Sequence, residues 1–213
     1  MNDIPNIRRL VTETLLMYIA LPLMCYLDWL PIPKILALLL VTAYCGYRLW
    51  QDPANARVLL GRPKERQISK SILLRSLAVT VILIALIGII QPTQFFSLIK
   101  QRPVLWIVVM VLYPILSALP QEFIYRTYFF HQYAELISLK YGTVIVSALA
   151  FSFMHIVYDN WWAVILSFGA GLMLGITYER TESLFWVTVE HAIYGWLIFT
   201  LGMGNFFYEP FLR

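Results

Sequence analysis

The chain has 213 residues, of which 60% are apolar and only 13% charged, whereas an ordinary soluble domain is about half apolar and about a quarter charged. A core of this size cannot hide that excess, because small domains leave much surface exposed, so an ordinary soluble fold is excluded and a bilayer is the natural solvent. The net charge is +4. Its basic residues cluster at Arg8 and Arg9 and again at Arg57, Arg62, Lys64, Arg66, Lys70 and Arg75. These clusters flank apolar segments and read as the positive-inside signal, not as a nucleic-acid patch.

Taken in chain order, seven apolar runs have the length needed to cross a bilayer as helices. They cover about 10–27, 34–50, 72–90, 103–120, 142–157, 161–178 and 184–201. The first follows Arg8 and Arg9 without a small-residue cleavage site and is expected to be retained. A polar linker over 51–71, broken by Pro53, Gly61 and Pro63, separates the second run from the third. The fourth runs on toward a turn at 139–142. Alternation from a cytoplasmic N-terminus puts the loops near Asp28, Gln91 and Asp159 outside, and those near Lys140 and Glu179 to Thr181 inside. Cys25 and Cys45 have no metal-ligand or disulfide spacing and are expected to pack. Gly171 and Gly175 are four apart, as close helix packing requires. Trp29, Trp50, Trp161 and Trp162 fall near segment ends, as interfacial anchors do. The expected fold is therefore all-α: one polytopic membrane bundle over 1–213, with about seven to eight transmembrane helices.

Ionisable groups inside such segments are costly and point to function. The second half holds Glu122, Arg126, His131, His155, Glu190 and His191. Glu122 and Arg126 share a helix face at a spacing of four, as do Phe151 and His155, and His191 and Gly195. Counting at 1.5 Å per residue puts Glu122 roughly 25 Å, His155 roughly 20 Å and His191 roughly 12 Å from their inner turns. One acid and two histidines can thus converge at one level, within the cytoplasmic half. A carboxylate beside an imidazole can activate water, and a second imidazole can stabilise an oxyanion. Hydrolysis of an acyl bond, most plausibly a peptide, is the chemistry suggested. His131, among aromatics, is expected to be structural.

At these residues the sequence resembles the CPBP family of intramembrane proteases, which includes type II CAAX prenyl endopeptidases and bacteriocin self-immunity proteins. The family's Glu-Glu-x-x-x-Arg is matched by Gln121-Glu122-Phe123-Ile124-Tyr125-Arg126. Its Phe-x-x-x-His is matched by Phe151 to His155, and its His-x-x-x-Asn is half matched by His191 to Gly195. The stretch from Tyr178 to Leu184 is similar to a further family motif. The resemblance covers about 102–202, which it marks as the catalytic core, with 1–100 as anchoring helices. It implies a glutamate- and histidine-dependent endopeptidase in which the last histidine and its asparagine bind the oxyanion. Gln121 replaces the first glutamate and Gly195 the asparagine. Glu122 is then the expected base, His155 its partner, His191 the oxyanion stabiliser and Arg126 the group that orients the acid. Tyr194 is an alternative hydroxyl donor and Glu190 an alternative carboxylate. No cofactor is expected, with zinc on the acid and histidines as the alternative. The expected substrate is a membrane-associated peptide or protein segment, and the expected location is the inner membrane of a bacterial cell, spanned many times. CAAX processing itself would also need a host that prenylates. The rival expectation is an inactive immunity, scaffold or regulatory protein of the same fold.

Overall fold

The computed structural model describes residues 7–51 and 65–207. Among these residues the chain is helical, without strands; besides single 3₁₀ turns at Pro92–Gln94 and Gly204–Phe206, it forms seven long runs and one short one. They are α1 (Ile7–Tyr26), α2 (Lys34–Trp50), α3 (Glu65–Ile90), α4 (Ser97–Gln101), α5 (Pro103–Leu136), α6 (Gly142–Tyr158), α7 (Trp161–Thr181) and α8 (Leu184–Leu201). The regions Ile7–Tyr26, Ile68–Ile90, Pro103–Leu136, Trp161–Thr181 and Leu184–Leu201 are long and apolar enough to cross a membrane, while α6 is apolar but shorter. The protein is an all-helical integral membrane protein, as the composition requires. Helix is close to forced there, because lipid offers no partner to backbone amides.

Each expected run is found as a helix. The expected linker is shorter at its end, because α3 begins at Glu65 rather than near residue 72. Ile68 and Ile72, four residues apart and both buried, extend its packed stripe. Pro53, Gly61 and Pro63 lie outside the described residues.

Helix α5 is the pivot of the bundle. Its Tyr125, Phe129 and Tyr133 each make an edge contact with Tyr18 of α1, and Phe129 stacks on Tyr133. Its other side meets α6, α7 and α8. Two prolines interrupt its ladder, and π-helical turns occupy Pro114–Ala118 and Phe123–Tyr128, with a short α-helical piece, Leu119–Glu122, between them. Proline supplies no amide to the carbonyl four residues back. The Met110 carbonyl thus left by Pro114 accepts instead from Trp196 Nε1 of α8 at 2.9 Å.

Helices α6 and α7 form the tightest hairpin. A Cβ on Gly171 would press on Ala148, and one on Gly175 on Val144, so these glycines serve packing. Side-chain bonds show which loops share an end. Tyr26 reaches Asp159, Lys34 reaches the Val157 carbonyl, and Asn205 reaches Gln91. At the other end Arg9 bonds Gln132, while Glu13 takes hydroxyl bonds from Tyr44 and Tyr128 and lies beside Arg9 and Arg48. This grouping is the one that alternation along the chain expects. Cys45 is fully buried in the α1–α2–α5 core, and Cys25 is part-buried. Trp29, Trp50 and Trp161 are exposed at helix ends, whereas Trp162 packs inward.

Candidate active site

Four helices bring the polar residues of the second half together. Glu122 and Arg126 come from the part of α5 that the π turns distort. Both are fully buried, and Arg126 Nε lies 3.3 Å from Glu122 Oε2. The guanidinium also donates to Ser147 Oγ of α6 at 2.6 Å, to the Gly171 carbonyl of α7 at 3.2 Å and to its neighbour's carbonyl at Tyr125. It sits 5.1 Å from the centre of the Phe151 ring. One side chain therefore ties three helices, and its buried charge is offset by the Glu122 carboxylate, while Nε itself makes no hydrogen bond among the described residues.

The other carboxylate oxygen, Glu122 Oε1, lies 2.7 Å from His191 Nδ1. A carboxylate accepts, so Nδ1 carries the hydrogen. His191 Nε2 meets the Tyr113 hydroxyl at 2.9 Å. His155 is held differently. Its Nδ1 lies 2.8 Å from the Phe151 carbonyl, which can only accept, so Nδ1 is the donor and Nε2 keeps a lone pair when the ring is neutral. The Phe151 ring packs on both imidazoles, with centroids 4.7 Å from His155 and 5.6 Å from His191.

These groups border a cavity of about 110 Å³, whose polar lining includes Tyr113, Ser117, Gln121, His155, His191 and Tyr194. That volume admits water and a reacting group of a larger substrate. Gln121 donates from Nε2 to Ser117 Oγ at 2.9 Å, and its Oε1 has no hydrogen-bond partner among the described residues.

The structure brings the expected constellation together, with three differences. Glu122 does not pair with His155. Its carboxylate is hydrogen-bonded to His191 and ion-paired with Arg126 and lies behind the cavity lining, because the α5 face that lines the cavity carries Tyr113, Ser117 and Gln121. The cavity also sits toward the end that carries Tyr158 and Phe207, not in the half nearest the basic N-terminus. Helix rises measured from different turns do not share an origin, which is why the counted depths misplace it.

Glu190 is the third difference. It is fully buried but faces away from the cavity. Its oxygens accept from Tyr194 at 2.6 Å, from Thr177 at 2.5 Å and from Arg75, whose Nε is 3.2 Å away. The structure therefore does not put Glu190 in the place of a missing carboxylate. The Tyr194 hydroxyl has given its hydrogen to Glu190, so it presents only an acceptor to the cavity. His131 lies apart, beside Phe130, Tyr178 and Glu179 in a separate cavity.

Three residues escaped the sequence reading. Tyr113 was passed over, although Tyr113, Ser117 and Gln121 form a polar stripe at four-residue spacing. Arg75 reads as a topology signal but turns inward to Glu190. Glu13, an acid inside an apolar run, carries the signal of any charged group in a membrane segment. The zinc alternative finds no matching donor set, since no group of three His, Cys, Asp or Glu side chains among the described residues is placed to hold a metal ion. Glu122 and His191 bond each other directly.

Comparison with known proteins adds one match. The family model described as Type II CAAX prenyl endopeptidase Rce1-like matches residues 103–197. That span holds Glu122, Arg126, Phe151, His155 and His191, and it begins where α5 begins. No curated protein and no solved structure matches the chain.

Proposed function

Residues 103–197 belong to the CPBP family, and from that premise we propose that the chain is an intramembrane endopeptidase that hydrolyses a peptide bond in a membrane-associated substrate. The fold is of the CAAX-protease type. The observation that carries the proposal is a small cavity on which two imidazoles converge, one with an unshared Nε2 and the other bonded to a buried carboxylate.

In this reading His155 Nε2 takes a proton from water while the water oxygen attacks the peptide carbonyl carbon. General-base catalysis of this kind is worth about 10²–10⁴-fold. The Gln121 amide oxygen is a second acceptor for that water. The oxyanion forms on the side of His191, whose charge Glu122 supports and whose ring Glu122 orients. Arg126 fixes Glu122 in turn. Collapse breaks the C–N bond, and protonated His155 returns its proton to the leaving amine. Electrostatic support is strong where water is scarce. No step needs a metal. The substrate is a segment of a membrane-associated peptide or protein that enters between helices, in the inner membrane of a bacterial cell.

A second reading is favoured by one observation. Gln121 stands on the cavity while Glu122 is sequestered behind it in an ion pair. In that reading the chain keeps the architecture as an immunity, scaffold or regulatory protein without chemistry. One experiment separates the two. The purified full chain is offered a library of peptides bearing hydrophobic or lipid tails, beside Glu122→Ala, His155→Ala and His191→Ala. Cleavage by the wild type that falls in all three folded variants supports the peptidase. A wild type that cleaves nothing, with variants that fold yet fail in a cellular phenotype, supports the second reading.

A further inference from the structure

We infer that Tyr113 is the residue that meets the oxyanion, delivering the His191 charge into the cavity through its hydroxyl. This rests on the peptidase reading above and assigns a role that reading leaves open.

Four observations converge on it. The Tyr113 hydroxyl is 2.9 Å from His191 Nε2, so that nitrogen does not face a substrate directly. The Tyr113 side chain lines the cavity together with His155 and His191. Its ring is wedged against Gly195, one helical turn beyond His191. A Cβ on Gly195 would run into the ring, with the hydroxyl oxygen 2.7 Å from that Cβ. Helix α8 therefore offers no side chain at this point, and α5 supplies one in the same space. Finally, of the other hydroxyls that line the cavity, those of Ser117, Tyr158, Ser167 and Tyr194, the one on α8, Tyr194, has its hydrogen committed to Glu190 at 2.6 Å. Tyr113 is the cavity hydroxyl that is itself bonded to the His191 imidazole.

The proton arrangement follows from the partners. With His191 protonated, Nδ1–H donates to Glu122 and Nε2–H donates to the Tyr113 oxygen. The hydroxyl hydrogen of Tyr113 is then released to the oxyanion. No bond to Tyr113 is made or broken. Its part is one hydrogen bond that strengthens as the oxygen gains charge, and such a bond is worth more in the transition state than in the ground state. The ring is held for this by an edge contact to Phe199, with centroids 5.6 Å apart, and by its edge contact to His191 at 5.9 Å.

The test uses the full chain in detergent and a peptide that the wild type cleaves. Tyr113→Phe keeps the ring and removes the hydroxyl. It is expected to lower kcat by about 10²–10³-fold, the usual loss for one oxyanion donor, with KM nearly unchanged. It is also expected to weaken binding of a tetrahedral phosphonate analogue while leaving binding of the parent peptide as it was. A merely structural tyrosine would move both affinities together. Gly195→Asn alone should misfold locally or lose activity against the Tyr113 ring. Tyr113→Ala with Gly195→Asn clears the ring and restores an amide donor, so it should recover activity above Tyr113→Ala. Wild-type kcat in Tyr113→Phe, or equal loss of both affinities, overturns the role of Tyr113 and leaves the peptidase standing. A wild type that neither cleaves peptides nor prefers the phosphonate over the parent peptide overturns both.

Discussion

Two clusters in this protein have the same ingredients and opposite surroundings. Near one end Glu13 is bonded by two tyrosines and flanked by Arg9 and Arg48. In the interior of the second half Glu122 is bonded by His191 and paired with Arg126. Both carboxylates are buried, and both join separate helices. The Glu13 cluster meets aromatic and apolar packing from α1, α2 and α5, whereas the Glu122 cluster backs onto a cavity that two histidines line. A buried charge in a membrane bundle is thus not by itself a site. What separates a clamp from a site is a titratable nitrogen with an unshared lone pair, beside room for a substrate.

That comparison can be broken or sharpened in order of effect. His155→Ala strikes the cavity first, and it also removes one hydrogen bond to a backbone carbonyl and the ring contacts with Phe151, Tyr158 and Phe207. Cleavage per folded molecule, measured by mass spectrometry, should fall by about 10²–10⁴-fold, with a smaller loss of stability than Arg126→Ala causes. Arg126→Ala strikes the frame of the same cluster. It leaves Glu122 buried beside a histidine alone and removes bonds to α6 and α7, so unfolding in detergent should be easier by about 3–5 kcal/mol, with activity lost as well. Glu13→Gln strikes the clamp. It should lower stability by about 1–3 kcal/mol and leave kcat/KM per folded molecule as in the wild type. If the Glu13 variant loses activity while still folded, the two clusters are coupled and the contrast fails. Glu190→Gln should have the smallest effect on rate, because its carboxylate faces Arg75 and Thr177 rather than substrate. A large fall in kcat there would return Glu190 to the chemistry.

Much of the fold was legible because apolar length decides it. Runs at 34–50, 161–178 and 184–201 need no tertiary information to be read as helices, and their bounds in the structure differ little. The Glu122–Arg126 pair and the Phe151–His155 pair were legible for a similar reason, since four residues on a helix fix a shared face. Rotation of each helix about its axis was not legible. In a soluble helix an apolar stripe marks the inward face, but lipid is as apolar as a neighbouring helix. Nothing local therefore says whether Glu122 meets His155 or His191. In α5 the two prolines and their π turns shift the faces further, which sets Gln121 on the cavity and Glu122 behind it. Arg75 was misread because an arginine at a helix end near a basic stretch looks the same whether it stays in the headgroups or turns inward to an acid more than a hundred residues away.

The most direct test of the central claim is hydrolysis in water enriched with ¹⁸O, followed by mass spectrometry of the fragments. The account expects the wild type to cut a hydrophobic-tailed peptide at a defined bond and to place one ¹⁸O in the new carboxyl group, with His155→Ala folded and unable to do so. A wild type that leaves every peptide whole, or a folded His155→Ala that cuts at the wild-type rate, would contradict it.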